Sequence, residues 1–520
     1  MKNPISSSLN LADAGKRLRD GLFIAEGGKV PRGLVWAWLV ALYLIGILLW
    51  GKFLNWGNIP FDFHDWSEIN GPRLAFLQDA VQKGLLPLHM PDKSALSTIT
   101  DRFMAIPDVI LSPQVLLLRF MELGPFILVN LLLLYSLGYL GLLWFRRRFA
   151  LSPVAFTILF LLFNFNGHIT AHISVGHITW GGYFLFPWFV ALVLDLIDGD
   201  DSWRWVTKIS LLMFFTYLQG SFHHFVWELL FLGLLALSAR RLFLPALKAA
   251  VMAILLSMVR ILPTLLLIGQ FNTLYHGGYP TLFSLLQSLV TLYTPGQDLY
   301  ESALIHPLGA WEFDLYAGAV GAAFLLYFGV WCGLRNVGRD TGQHRYPQLL
   351  LPAAGLVVLS IGQVYQWVSS LPISALAAER VSARFISLPF VLLMLFATRE
   401  FQRWLDAHPR ASWPRLAMLL LLLLLGHDLW QHLKLWQVGV AFKDFAPEQF
   451  FQPKWVVSNY DDTLYFIYLK RGVILSLGTL AALLFMAWLN PPSLFSLEQS
   501  KAHHAGDKPA RDPRQRMAGV

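Results

Sequence analysis

The segment IPFDFHDWSEINGPR, residues 59–73, gathers carboxylates and an imidazole directly after a long apolar run. Asp62, His64, Asp65 and Glu68 lie within seven residues of one another. A carboxylate close to the end of a membrane-spanning helix is partly desolvated, which suits it to act as a general base or to orient a nucleophile. We predict Asp65 as the catalytic residue and Asp62 as a second catalytic candidate. For Asp62 and Glu68, ordinary loop acids exposed to water are the alternative.

Histidines dominate two further segments. NFNGHITAHISVGHITWGGYFLFPW, residues 164–188, contains His168, His172 and His177, and YLQGSFHHF, residues 217–225, contains Gln219 and His223. His168 and His172 are four residues apart, so a helix would place them on one face at the spacing of a metal-binding pair. A belt of His, Trp and Tyr at a membrane interface is an alternative. We favour a polar pocket that contacts phosphate or sugar hydroxyls; no metal ligand and no cofactor are assigned, and a divalent metal ion is left open.

Arginines at the predicted outer mouth of a span indicate an anionic ligand. AAERVSARFISLPF, residues 377–390, places Arg380 and Arg384 on the side of the membrane where topology disfavours positive charge. Guanidinium groups bind phosphate bidentately, so we predict that both arginines bind the phosphate of a substrate. Pairing with the neighbouring Glu379 alone is the alternative. Arg102, between the first two spans, is predicted as a third phosphate ligand.

Acids also stand at the entrance of a later apolar run, in HPLGAWEFDLYAGAVG, residues 306–321. Ionisable groups at the edge of a membrane are costly to desolvate, which makes them functional candidates by default. We therefore assign Glu312, Tyr316 and His64 to the same substrate pocket. Glu312 is the next candidate for the general base if Asp65 does not serve.

The composition predicts an all-α, polytopic integral membrane protein. Of 520 residues, 56% are hydrophobic and only 14% are charged, with a mean hydropathy of +0.53. Soluble proteins carry about 25% charged residues. Apolar runs of about 18 or more residues recur along the chain, as expected for membrane-spanning helices. The single cysteine, Cys332, excludes an intramolecular disulfide and a multi-cysteine zinc site.

The loops between apolar runs predict the orientation. We expect about twelve spans, starting near residues 34, 125, 150, 179, 207, 225, 249, 313, 348, 385, 415 and 471. The N-terminal segment and every second connection are basic, including FRRRF, ARRLFLPALK and REFQRWLDAHPR. The positive-inside rule then places both termini in the cytoplasm and the candidate residues on the outer side of a cytoplasmic (inner) membrane. Because the basic residues fall in the loops between spans, they indicate orientation in the membrane, and no nucleic-acid partner is expected.

This topology divides the chain into three parts. Residues 1–33 form a cytoplasmic amphipathic segment, with an interfacial helix expected over residues 9–24. Residues 34–490 form the transmembrane domain, and residues 491–520 a disordered cytoplasmic tail. The first outer loop, residues 55–124, is far longer than a connector needs to be. Within it, Leu74, Leu77 and Val81 recur at helical spacing and Gly84 is the expected C-cap, so a juxtamembrane helix is predicted there, followed by a second amphipathic piece over residues 108–123.

Several motifs in this order resemble a known superfamily. They are HDWSEINGPRLAFLQDAVQKGLLPLHMPD, GHITWGGYFLFPWFVALVLDL, YLQGSFHHFVWELLFL, WEFDLYAGAVG and ERVSARFISLPF, spread over roughly residues 34–400. Together they are similar to the GT-C superfamily of multi-spanning glycosyltransferases. Within it, they resemble the large bacterial family linked to glycosylation of cell-surface polymers such as lipoteichoic acid. The chain departs from that family in reading PLHMPD where the usual form is closer to PLWNP, and it lacks a large soluble C-terminal domain.

The resemblance implies an inverting glycosyltransferase. Such an enzyme moves a sugar from a polyprenyl-phosphate carrier to an acceptor outside the cytoplasm, which would be a surface glycan, a teichoic-type polymer, a lipid or a protein. The family's catalytic acid falls on Asp65, and the arginine that precedes a late span falls on Arg384. Two alternatives stand beside it. One is a transporter or flippase of a lipid-linked glycan that depends on midplane residues such as Arg260, and the other is a non-catalytic envelope scaffold.

Overall fold

The structure is a computed structural model that describes residues 21–23, 32–90, 102–267, 277–299, 308–337, 346–371, 379–408, 412–442 and 461–490. The interfacial helix predicted over residues 9–24 lies almost entirely outside these ranges. The tail predicted from residue 491 onward lies outside them as well. The candidate site residues all lie within the described part of the chain.

Helices account for almost all of the described secondary structure, as the sequence predicts. The first half contains α1 (Arg32–Phe53), α2 (Gly71–Lys83), α3 (Leu123–Arg148), α4 (Pro153–Phe165), α5 (Gly167–Ser174), α6 (Phe186–Ile197), α7 (Trp203–Leu218), α8 (Phe222–Ser238), α9 (Arg240–Leu256) and α10 (Met258–Thr264). The second half contains α11 (Leu282–Ser288), α12 (Gly318–Phe324), α13 (Gly333–Val337), α14 (Leu350–Leu359), α15 (Gly362–Ser369), α16 (Ser387–Ala407), α17 (Ser412–Leu435) and α18 (Thr463–Leu489). Two short antiparallel strands, β1 (Asp298–Leu299) and β2 (Leu308–Gly309), complete it.

Eight described helical segments are long and apolar enough to cross a membrane, or nine if the bent pair α9 and α10 forms one span. The eight are Gly33–Phe53, Leu123–Arg148, Pro153–Ser174, Ile178–Ile197, Gly318–Arg335, Ser382–Ala407, Arg415–Leu435 and Thr463–Leu489. Two shorter apolar helices, Phe222–Ser238 and Pro347–Leu359, accompany them. These segments fit an all-α membrane protein, whereas the count of twelve spans stays a prediction.

Two helices begin well before the starts expected from hydropathy. α9 begins at Arg240 rather than near 249, and α18 begins at Thr463 rather than near 471. Lysine and arginine are good helix formers, so a helix continues through basic residues that an apolar pattern leaves out. Lys470 and Arg471 accordingly lie inside α18 rather than before it.

Alternate connections between the helices meet at the same end of the molecule. At one end, Arg148 at the close of α3 binds Asp195 and Asp198 near the close of α6, and its guanidinium donates to the hydroxyl of Tyr346, 3.1 Å away. At the other end, Trp66 in the loop after α1 donates through Nε1 to the carbonyl of Ser174, 2.8 Å away. This arrangement matches the alternation of connections in the predicted topology.

The long loop between α1 and α3 has the juxtamembrane helix that the sequence predicts. α2 ends at Gly84, whose left-handed φ of 68° closes the helix as expected for a glycine C-cap. Leu74 and Leu77 are buried, and the guanidinium of Arg73 lies 3.1 Å from the carboxylate of Asp108. The second predicted piece forms a 3₁₀ helix, Pro113–Arg119, ahead of α3.

A buried arginine fixes this loop to the bent helix pair. α9 and α10 meet at an angle of 67° at Ser257. Arg260 then donates hydrogen bonds to the carbonyls of Met104, Ile106, Pro107 and Val109 in the loop, at 2.8–3.2 Å. A guanidinium offers five donors, so one side chain satisfies several backbone acceptors that would otherwise be buried without a partner.

We expect Arg260→Met to lower the free energy of unfolding by about 1–3 kcal/mol or more, since each buried carbonyl that loses its donor costs about 1–3 kcal/mol. Arg241→Met is the matched control, because among the described residues Arg241 donates to a single carbonyl, that of Ile197. Thermal unfolding of both variants in lipid nanodiscs measures the difference. Equal melting temperatures for Arg260→Met and the wild type would contradict this account of the loop.

Candidate functional site

The backbone around Asp65 is anchored to the turn that follows α5. Asp65 directly precedes a π-helical turn, Trp66–Asn70. The side-chain amide of Asn70 donates to the carbonyls of both Asp65 and Gly176. Gly176 has a φ of +96°, and a Cβ there would lie 2.8 Å from the nitrogen of Trp66, so glycine permits this close approach.

The Asp65 carboxylate is held between two imidazoles. Its side chain is 21% exposed, with Nδ1 of His64 at 3.1 Å from Oδ1 and Nε2 of His177 at 3.3 Å from Oδ2. Burial alone would raise the pKa of Asp65, but the contact with His64 and the surrounding positive charges hold the pKa below its usual value. Asp65 is therefore an ionised carboxylate near the surface of the molecule at neutral pH.

The two neighbouring histidines respond to burial and charge in opposite ways. Burial lowers the pKa of His64, but the contact with Asp65 and nearby negative charges raise it above the usual value overall. Burial dominates for His177 and lowers its pKa to about 4, despite the attraction of Asp65 and Glu312. His177 is therefore a neutral imidazole at neutral pH.

His172 supports His177 from inside the protein. Their Nδ1 atoms lie 2.7 Å apart, and the His172 ring stacks on Trp180 with centroids 3.6 Å apart. α5 positions His172 because Asn166 caps the helix, accepting a hydrogen bond from the backbone nitrogen of Ile169. The ring orientation of His172 is thus fixed on two sides.

A largely buried ion pair, formed by the buried Glu312 and the partly buried Arg384, lies next to this cluster. Arg384 donates through Nε to Oε2 of Glu312 at 2.7 Å and through Nη2 to Oε1. Oε2 of Glu312 lies 4.0 Å from Nε2 of His172. Burial alone would raise the pKa of Glu312, but Arg384 outweighs it and holds the pKa below its usual value. The alternative that Arg384 pairs with Glu379 alone is wrong, because both oxygens of Glu312 are bound to it.

Two other predicted pocket residues lie close to this cluster. His168 is in α5, where its Nε2 lies 2.6 Å from the Ser387 hydroxyl and its ring lies edge-on to His172 with centroids 5.1 Å apart. His223 contacts Glu379, with Nδ1 2.7 Å from Oε2. Both join the helices around the cluster.

The remaining predicted residues have other partners. Gln219 accepts a hydrogen bond from Gln114 at 2.7 Å, and Tyr316 stacks on the His432 ring with centroids 4.9 Å apart. Arg102 donates to Asp462 at the start of α18 at 2.8 Å. The backbone carbonyl of Arg380 accepts from Gly277 at 2.8 Å, and Asp62 is partly buried in the loop before Asp65.

Sequence reasoning missed three neighbours of the predicted residues. Trp180 stacks on His172, and Trp311 lies edge-on to His64 with ring centroids 4.9 Å apart. His432 contacts Asp314 at 2.9 Å across 118 positions of sequence. Trp180 and Trp311 lie within the histidine-rich segment 164–188 and the acidic segment 306–321. Their position next to the candidate residues of those segments is the only sequence feature that could have predicted these contacts. No local pattern pairs His432 with Asp314.

An apolar groove runs along the membrane-spanning helices, and two of its lining residues are close in sequence to the pair of Glu312 and Arg384. It has a volume of about 530 Å³ and is lined by α11, α14, α16 and the helix of residues 318–335. Leu315 and Ile386, close in sequence to Glu312 and Arg384, line one end, and Arg403 lines the other. Residues 386 and 403 are about 25 Å apart along a helix, close to the thickness of a bilayer's hydrocarbon core.

Comparisons with protein-family models, with curated proteins and with solved structures find no match for this chain. The resemblance to the GT-C superfamily therefore rests on the sequence motifs alone. The function is inferred from the chemistry of the cluster and the groove.

We expect Arg384→Gln and Glu312→Gln each to lower the free energy of unfolding by about 3–5 kcal/mol, because each leaves a buried charge unpaired. The double variant should lose less than the sum of the two. Arg403→Gln is the control, since Arg403 binds Glu400 while 38% exposed and should change stability by less than about 1 kcal/mol. Additive losses in the double variant would show that the two side chains do not act as a pair.

Proposed function

We propose that the protein is a membrane glycosyltransferase that moves a sugar from a polyprenyl-phosphate carrier to an extracytoplasmic acceptor. The observation that carries the proposal is the apolar groove lined by Leu315 and Ile386, which lie within three residues of the paired Glu312 and Arg384 in the sequence. Through His172 and His177 this pair adjoins the ionised carboxylate of Asp65. A polyprenyl tail needs an apolar path at membrane depth, and its phosphate needs polar groups at the end of that path. A soluble substrate would need no such groove.

The proposal includes the topology predicted from the sequence. It comprises about twelve spans in a GT-C-like arrangement, both termini in the cytoplasm, and the site on the outer face of the cytoplasmic membrane. Ten helical segments begin close to the predicted starts and two, at Arg240 and Thr463, begin earlier, while the two pairs of connections described above each share an end, which supports this topology. The acceptor would be a surface glycan, a teichoic-type polymer, a lipid or a protein.

The proposed reaction is a single displacement at the anomeric carbon. Asp65 takes the proton from the acceptor hydroxyl, and the acceptor oxygen attacks the carbon from the face opposite the phosphate. The bond between the carbon and the phosphate oxygen breaks, and its electron pair leaves with the polyprenyl phosphate. The configuration at the sugar is inverted. The lowered pKa of Asp65 leaves it ionised and ready to accept this proton at neutral pH.

Arg384 would stabilise the charge that develops on the departing phosphate. Its guanidinium is already oriented by Glu312 and lies over the ring of Trp180, 5.9 Å from the centroid. A preoriented donor needs little reorganisation during the reaction. Arg380, four residues earlier, is proposed to add a second positive charge, whereas Arg102 binds Asp462 and would act only if that pair opened.

The flippase alternative is weakened by the contacts of Arg260. This residue donates to four backbone carbonyls of the loop, so its charge is committed to structure rather than to a translocation path. The scaffold alternative gives no reason for an ionised carboxylate to lie between two imidazoles. Both remain outcomes of the experiment below.

We expect Asp65→Asn to abolish transfer, with turnover lowered at least about 10²-fold, because an amide cannot take the acceptor proton. Protein in nanodiscs is given a panel of labelled polyprenyl-phosphate sugars with an envelope extract as acceptor. Asp79→Asn is the control, because Asp79 pairs with Lys83 on α2 of the same loop. Full turnover by Asp65→Asn would move the base to Asp62 or Glu312. A folded wild type without turnover on any donor would favour transport.

We expect Ala353→Trp to lower turnover with a long-chain donor and to spare a short-chain analogue, because an indole at this position fills the groove. Val358→Trp is the control, since Val358 lies on the same helix, is 50% exposed and does not line the groove. The measured quantity is the ratio of kcat/KM for the two donors. An unchanged ratio would mean that the lipid tail binds elsewhere.

A further inference from the structure

Two groups of side chains among the described residues have the composition and spacing of a metal site. One consists of His64, Asp65 and His177, and the other of His172, His177 and Glu312. In each group one ligand atom per residue lies within 4.8 Å of the others. Both groups contain His177, and each residue offers one ligand atom, so the two groups are alternative sites for a single ion.

We propose that His64, Asp65 and His177 bind one divalent transition-metal ion of the zinc class. Zinc bound by imidazole nitrogen and carboxylate oxygen at about 2.0–2.2 Å in tetrahedral geometry separates its ligand atoms by about 3.3 Å. The contacts of Asp65 with His64 and His177, at 3.1 and 3.3 Å, already have this spacing. A modest movement of the three side chains would bring them around one ion.

His172 prepares His177 to be a ligand. The hydrogen bond between their Nδ1 atoms engages that nitrogen of His177 and leaves Nε2 directed at Asp65, at 3.3 Å from Oδ2. Metal-binding histidines characteristically use their second nitrogen in such a contact, which fixes the ring and its tautomer. His172 is therefore a positioning residue in this site.

The alternative group is less suited to a cation. Both oxygens of Glu312 bind the guanidinium of Arg384, and a metal ion on the same carboxylate would lie beside that positive charge. Within the described part of the chain, the ionisable groups in close contact with the Asp65 carboxylate are the imidazoles of His64 and His177. The ion is therefore expected on the Asp65 side of His177.

The charge balance of the cluster also favours a cation. Asp65 and Glu312 are two carboxylates, and among the described residues the guanidinium in direct contact with them is that of Arg384, on Glu312. A site with excess negative charge is a poor place for a donor phosphate, and a bound divalent ion would reverse that balance. The Asp65 side chain is 21% exposed, and catalytic zinc sites with three protein ligands keep a fourth position for water or substrate.

The role of the ion rests on the proposed transferase reaction, whereas its binding does not. At the open position the ion would hold the acceptor hydroxyl and lower its pKa. Asp65 would then take the hydroxyl proton through the carboxylate oxygen that does not bind the ion. Two imidazoles and one carboxylate favour zinc-class ions over Mg²⁺ or Ca²⁺, which prefer ligand sets made of oxygen.

The test measures metal binding by the full-length protein in nanodiscs after removal of metal with a chelator. Co²⁺ is titrated and followed by visible absorbance, Zn²⁺ is used in competition, and zinc content is measured by mass spectrometry. We expect one ion per chain, with affinity lowered at least about tenfold in both His64→Ala and His177→Ala. His427→Ala is the control, because His427 and Asp428 form a similar adjacent pair, 3.7 Å apart, that belongs to neither group.

Several outcomes would overturn the proposal. These are no stoichiometric binding by wild-type protein that unfolds cooperatively, binding that survives both histidine substitutions, or equal losses in the His427→Ala control. Cooperative thermal unfolding of each variant shows that it is folded. Transfer by the wild type without any bound ion would overturn the proposed role of the ion in the reaction and leave the transferase intact. A stoichiometric ion with no transfer from any donor would support the site and overturn the proposed function.

Discussion

The buried pair of Arg384 and Glu312 determines how the two halves of the candidate site meet. Glu312 ends a 3₁₀ turn, Ala310–Glu312, and Arg384 stands just ahead of α16. Removing both charges from water is costly, and only close, hydrogen-bonded contact offsets that cost. The bidentate contact therefore fixes the turn against the helix. It also places Glu312 4.0 Å from His172, which in turn contacts His177.

This constraint also decides which charges remain available to a substrate. Because Glu312 binds Arg384 through both oxygens, Asp65 is the carboxylate of the cluster whose close neighbours are neutral or titratable imidazoles. Asp65 lies nearer the surface than Glu312, which is buried. The cluster thus combines an ionised carboxylate near its mouth with an oriented guanidinium deeper inside, and Ile386, two residues after Arg384, lines the groove.

The sequence predicted the parts of this arrangement that depend on local pattern. The helix α2 and its Gly84 cap followed from apolar spacing, and His172 and His177 were singled out as polar groups in an apolar segment. What it missed depends on contacts between distant residues. The partner of Arg384 lies 72 positions away, so the nearer Glu379 was the visible alternative. The helix starts at Arg240 and Thr463 were misplaced because basic residues extend helices beyond their apolar portions.

In the proposed transferase, a lipid-linked donor binds with its tail in the groove and its phosphate at the cluster of Arg384, Glu312 and Asp65. Cryo-electron microscopy of the protein in nanodiscs with a polyprenyl phosphate tests it directly. The account predicts density for the tail between α14 and α16 and a phosphate in contact with Arg384, on the side facing Asp65. A bound lipid whose phosphate lies away from Arg384, with the groove filled only by ordinary bilayer lipid, would contradict it.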